Sequence, residues 1–201
     1  MPTNYVEQVI RAERALGLFH EASLQRWVLD DAPGLVLDVA NWTYQNCQRL
    51  ISGLALLWIL LRHPARYPHV RNTIGCVMLI GLAGYLLYPT APPRLVAGHG
   101  FVDTLDPTGA NRHSSLLSAW TNLYAAVPSL HCAYALLFGV VGARLPTLVP
   151  LRVAWAVYPA LVAFATVATG NHFVLDAVLG WLAIGLAHLA ATALEARVPL
   201  L

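Results

Sequence analysis

Apolar residues are not spread evenly along this chain. After an amphipathic opening they gather into long blocks separated by short polar joints. Residues 4–29, NYVEQVIRAERALGLFHEASLQRWVL, repeat with a helical period. Val9, Ala12, Leu16, Phe19 and Trp27 line one face; Glu7, Arg11, Arg14, Glu21 and Gln25 line another. That division predicts an amphipathic helix over residues 1–30, either lying at a membrane interface or packed as a solvated helix. Crossing the bilayer is disfavoured, because each Arg or Asp at the centre of a span costs roughly 2.5–3.5 kcal/mol.

Five apolar blocks follow, at about 33–61, 72–89, 128–146, 153–169 and 172–194. The first is polar in its first half and apolar from Leu50. Most match the ~20 residues needed to cross a bilayer. A loop at 90–127, rich in Pro, Gly, Asp and His, separates the second block from the third and is expected to hold a short helix near 115–125. A connection of that length is usually functional or disordered. The pattern predicts an all-α fold: a polytopic transmembrane bundle of five to six helices plus the N-terminal amphipathic helix. All of it forms one membrane-embedded domain over 1–201, with the bundle at 33–194.

Composition agrees. The chain is 58% hydrophobic and 11% charged, against roughly 25% charged in soluble domains. All 12 basic residues are Arg and the net charge is +2, so no basic patch points to nucleic acid. Residues 1–30 carry charges throughout and do not read as a cleaved leader. Cys47, Cys76 and Cys132 fall in apolar segments without metal-type spacing and read as buried thiols. Cys132 follows His131 directly, and neighbours in sequence do not face each other on a helix. Arginine placement sets the orientation. If the blocks alternate, Arg62, Arg66, Arg71, Arg144, Arg152 and Arg197 share one side, expected to be cytoplasmic. The 90–127 loop then lies extracytoplasmically.

Three polar clusters fall on that second side: YPTAPPR at 88–94, VPSLH at 127–131 and TGNHFVLD at 169–176. His172 and Asp176 are spaced i, i+4, one helix face apart. A carboxylate bonded to one imidazole nitrogen fixes the tautomer and leaves the other nucleophilic. An intramembrane acid is costly, and a functional role is its default reading. Ser129 and His131 follow Pro128 into a first helical turn, where free N–H groups suit an anion. Arg94 offers a planar fork matched to phosphate oxygens. Gly170 permits close backbone approach. Each feature has a plainer reading: a hydrogen-bonding histidine, a helix cap, an interfacial arginine, or two histidines and a carboxylate on a metal. Their convergence at one depth favours a site.

These elements resemble the type 2 phosphatidic acid phosphatase superfamily. Pro128-Ser129-Leu130-His131 and His172 with Asp176 match its motifs. YPTAPPR, AAVPSLH, TGNHFVLDAVLG and the N-terminal RALGLFHEASLQ more closely resemble its inositol phosphorylceramide synthase branch. The resemblance implies a membrane enzyme acting on a lipid-linked phosphate in the bilayer. In it His172 attacks phosphorus, Asp176 orients His172, and His131 protonates the leaving alcohol. Arg94, Ser129, Gly170 and Asn171 hold phosphoryl oxygens, and no metal or cofactor is needed. Two superfamily cations are missing here: the matching positions are Leu87 and Thr166. Arg112, His113 or His99 from the long loop are candidates to replace them.

A second polar stripe, Asn41, Tyr44, Gln45 and Gln48, has spacing i, i+3, i+4, i+7 within the first block. It reads as a headgroup pocket lining or as interhelical packing, with Arg49 beside it either snorkelling or meeting a lipid phosphate. The sequence keeps two rival functions open, a non-enzymatic lipid transporter or scramblase using the same groove, and a metal-dependent membrane hydrolase.

Overall fold

The computed structural model describes residues 2–105, 126–145 and 148–197. The expected helix near 115–125 therefore lies outside the described residues, as do Arg112 and His113.

The amphipathic opening is two helices rather than one: α1, Pro2–Leu16, and α2, Glu21–Asp30. Gly17 adopts a φ of +69°, a left-handed conformation open to glycine, and the helix ends there. Burial also departs from the expected faces. Val6, Val9, Ile10 and Glu13 go inside while Leu16 and Trp27 are exposed. Glu21 and Gln25, expected on the polar outer face, are buried. A single 3.6-residue period cannot run through a break, so the face of α2 is set by what it docks against.

Next comes one long helical rod: α3, Gly34–Asn46, a π-helical turn at Cys47–Ile51, and α4, Ser52–Arg62. The widened turn is supported by side chains. The Cys47 carbonyl accepts hydrogen bonds from the hydroxyls of Ser52 at 2.9 Å and Tyr158 at 3.3 Å. Then follow α5, Tyr67–Leu87, a 3-10 turn at Pro93–Leu95, α6, Leu130–Arg144, α7, Val149–Ala168, and α8, Val174–Arg197.

α5, α7 and α8 are long and apolar enough to cross a membrane. α6 has 15 residues and sits among the others, burying Cys132, Ala133, Tyr134, Ala135, Leu137 and Phe138 against α5, α7 and α8. Helices that are apolar all round belong in a membrane or deep inside a large protein. Here the outward Leu79, Leu86, Leu182 and Leu189 are exposed, the arrangement a lipid surroundings favours. The chain is an all-α membrane helix bundle. His69 and Asn72, early in α5, hydrogen-bond Glu195 late in α8, so these helices run antiparallel. The end of α5 and the start of α8 meet at the opposite end of the bundle.

Candidate active site

That opposite end is knit from all three polar clusters. The turn between α7 and α8 is tied down by one carbonyl: Thr166 O accepts from the N–H groups of Asn171 at 2.9 Å and His172 at 3.0 Å. Gly170, at φ +68°, reverses the chain, and its own N–H donates to Val167 O. The first cluster docks here because the Arg94 N–H donates to Gly170 O at 2.9 Å. The second docks because the Ser129 N–H donates to Asp176 O at 3.0 Å. Gly180 permits that approach: a Cβ there would lie 2.3 Å from the Ser129 carbonyl oxygen.

His172 precedes α8 and Asp176 lies in its first turn, so the pair is set by the turn, not by two positions on one helix. Asp176 Oδ2 accepts the Phe173 N–H at 2.9 Å, as a helix-capping acid does, and lies 3.4 Å from His172 Nδ1. That separation is an ion-pair contact without hydrogen-bond alignment, and Nδ1 has no hydrogen-bond partner among the described residues. Catalytic hydrogen bonds in unliganded enzymes are often long and tighten with substrate. Asp176 is fully buried and His172 nearly so.

His131 and His172 face one another with ring centroids 5.6 Å apart. Tyr44 stacks on His131 at 4.6 Å and 25°. Ser129 precedes α6, and its hydroxyl oxygen accepts the Cys132 N–H at 3.3 Å, which leaves its proton free to donate. The Cys132 thiol turns away, toward the Thr166 hydroxyl. The Arg94 guanidinium bonds the Asn171 side-chain oxygen and lies 3.4 Å from Asp103 Oδ2. Its remaining N–H donors can meet a ligand.

Several expected binding residues have other work. The Gly170 and Asn171 N–H groups are spent inside the turn, so the Asn171 side chain acts on Arg94 rather than its backbone on phosphate. Asn41 exchanges hydrogen bonds with Thr104 and so holds the 101–105 segment. Gln45 is exposed and Gln48 falls within the π turn, where the 3.6-residue period of the stripe fails. His99 meets Glu7 and Phe19 rather than the histidines. Leu87 is exposed on the outer surface, and Thr166 contributes its carbonyl to the turn. Among the described residues no three His, Cys, Asp or Glu side chains gather as a metal site.

Two functional candidates escaped the sequence pattern. Glu13 Oε1 accepts the Leu175 N–H at 2.6 Å and Glu21 Oε1 the Val174 N–H at 3.0 Å, both fully buried. The available signal was Glu13's place three and four residues after Ile10 and Val9, on the core face of α1.

The model of the PAP2 superfamily matches residues 7–190. A phosphoinositol dihydroceramide synthase of Bacteroides thetaiotaomicron is 30% identical over 120 residues, which cover 52% of this chain and 38% of that protein. The chain therefore spans well under half the length of that relative. No solved structure matches it. With nearly its whole length matched, the chain belongs to the PAP2 superfamily.

Proposed function

We propose that this chain is a membrane lipid-phosphate phosphatase or phosphotransferase that works through a phosphohistidine on His172. The observation that carries the reading is the pair of imidazoles 5.6 Å apart, one backed by a buried carboxylate and the other by an aromatic face. Asp176 at Nδ1 favours the tautomer whose Nε2 lone pair is free. That lone pair attacks phosphorus, the bond from phosphorus to the lipid oxygen breaks, and protonated His131 gives its proton to the leaving oxygen. Neutral His131 then takes a proton from water or an acceptor hydroxyl. The resulting oxygen attacks phosphorus, the P–N bond breaks, and His172 is restored. Arg94 and Ser129 supply donors to the phosphoryl oxygens, where preorganised charge counts most.

Superfamily membership and the named relative support this reading. The relative's name supports transfer of a phosphoinositol group to a lipid hydroxyl; the branch resemblance also admits a polyprenyl phosphate as substrate. Arginine placement supports an active site on the extracytoplasmic face of a multi-pass protein. The test uses the full chain purified in detergent, with phosphate release and headgroup transfer followed from candidate lipids, with and without chelator. His172→Ala is expected to lose at least about 10³-fold in turnover, as loss of a nucleophile does. Activity surviving that substitution sinks the phosphohistidine. Loss on chelation revives a metal hydrolase, and lipid movement without phosphate release, untouched by His172→Ala, favours a transporter.

A further inference from the structure

A helix begins with N–H groups that have no partner in the helix itself. At α8 three of them are taken by three carboxylates. Phe173 donates to Asp176 at 2.9 Å, Val174 to Glu21 at 3.0 Å and Leu175 to Glu13 at 2.6 Å. Helices commonly cap themselves with a polar side chain just before the first turn. Here that residue is Phe173, which has no acceptor to offer. Two of the three caps instead arrive from α1 and α2, 162 and 153 residues away in sequence.

Their environment is unusual for acids. Glu13 and Glu21 are fully buried, and Oε2 of each has no hydrogen-bond donor among the described residues. The two carboxyls are neighbours, because they take the N–H groups of the successive residues Val174 and Leu175. Among the described residues, the charged groups that act on Glu13 are Glu21 from α2 and Asp176 from α8, and Glu21 acts on Asp176 in turn. No described cation makes an ion pair with either glutamate. Gln25, next along α2, is committed to both backbone groups of Val102. Two adjacent buried carboxylates cannot both stay ionised without great cost, whereas one proton between them removes a charge and satisfies both orphan oxygens. Burial, and after it the contact with Glu21, hold the Glu13 carboxyl above its ordinary range.

We propose that Glu13 and Glu21 are positioning residues, an acid pair sharing one proton that reaches from the two N-terminal helices to clamp the first turn of α8 and so holds Asp176 and His172 in line for phosphoryl transfer. The proposal rests on the reading of His172 as the phosphate acceptor. In this arrangement α1 and α2 are part of the catalytic apparatus although neither acid touches the reacting atoms. Loss of the shared proton at alkaline pH leaves two repelling anions, releases the Val174 and Leu175 N–H groups, and loosens the turn that carries Asp176.

The experiment compares wild type, Glu13→Ala, Glu13→Gln and Glu21→Gln as full chains in detergent. Turnover and KM are measured across pH, and amide hydrogen exchange is followed at Val174 and Leu175. Glu13→Ala is expected to lower kcat by about 100-fold, the scale of a misplaced catalytic group, with KM little changed. Each Gln variant replaces the shared proton with an amide N–H that does not titrate. Both are expected to hold most of the wild-type kcat at acid pH and to lose its alkaline decline. Val174 and Leu175 should exchange slowly in wild type and the Gln variants and faster in Glu13→Ala. Equal exchange in wild type and Glu13→Ala, or an alkaline decline shared by wild type and both Gln variants, overturns the proposal. Should Glu13→Ala not fold, the Gln pH profiles decide. Should His172→Ala prove fully active, the phosphohistidine reading fails by itself, and the exchange rates still decide the clamp.

Discussion

Tyr44 lies flat against His131, and this contact gives the imidazole an orientation that α6 alone does not impose. Aromatic pairs of this kind contribute about 0.5–1.5 kcal/mol beyond burial. Tyr44→Phe keeps the ring, and Tyr44→Ala removes it. If the stack positions the acid, turnover of Tyr44→Ala should fall about 2- to 10-fold while Tyr44→Phe stays near wild type, since 1.36 kcal/mol corresponds to tenfold in rate. An equal fall in both variants would move the contribution from the ring to the hydroxyl. The sequence marked Tyr44 as one of a four-residue stripe without ranking it. The ranking follows from the π turn after Asn46, which takes Gln48 off the period and leaves Tyr44 beside His131.

Among elements, the approach of α6 to α8 is the one that assembles the two histidines. It depends on Gly180, where a Cβ would meet the Ser129 carbonyl oxygen at 2.3 Å, a backbone atom that cannot rotate away. Gly180→Ala should displace the start of α6 and with it Ser129 and His131, at a cost of about 100-fold in turnover. Gly185→Ala, whose Cβ meets nothing within 4 Å, lies further along α8 and is the matched control; it should leave turnover unchanged. Comparable losses in both would show that helix α8 tolerates no added methyl, rather than that the contact matters. Four of the five apolar blocks were legible because each is long and continuous, the first because helical spacing carries through its polar half, and the observed helices follow all five within about five residues. The opening helix was misjudged because Gly17 resets the helical phase, so residues assigned to one face before it say nothing about faces after it.

At the scale of the whole molecule, charge yields two predictions, one for orientation and one for stability. Arginine placement predicts that the loop after α5 is outside and the loop before it inside. Ala97→Cys and Ala65→Cys sit at exposed positions of those loops. An impermeant thiol reagent applied to intact cells should label the first, and the second only after permeabilisation; the reverse pattern would invert the topology. Glu13 sets a pH dependence with a definite sign. Its folded carboxyl holds a proton more tightly than the ordinary value of 4.5, chiefly through burial. Its contribution to stability is therefore complete below pH 4.5 and is lost as pH rises through the raised folded value. The melting temperature in detergent should fall on alkaline titration, and Glu13→Gln should flatten that fall.

Periodicity, segment length and arginine bias are local properties, and they alone determined an all-α membrane bundle with its polar clusters at one end. His131, His172, Asp176 and Arg94 stood out because each sits in a short distinctive string, and the structure brings those strings to one end of the bundle. What only the tertiary structure decided is how polar groups from distant segments satisfy one another. The Gly170 and Asn171 N–H groups turn inward to Val167 and Thr166, Asn171 grips Arg94, and two acids of the N-terminal helices α1 and α2 cap α8. A buried polar group must find a partner, and a sequence states which groups need one but not which of them the fold will bring within reach.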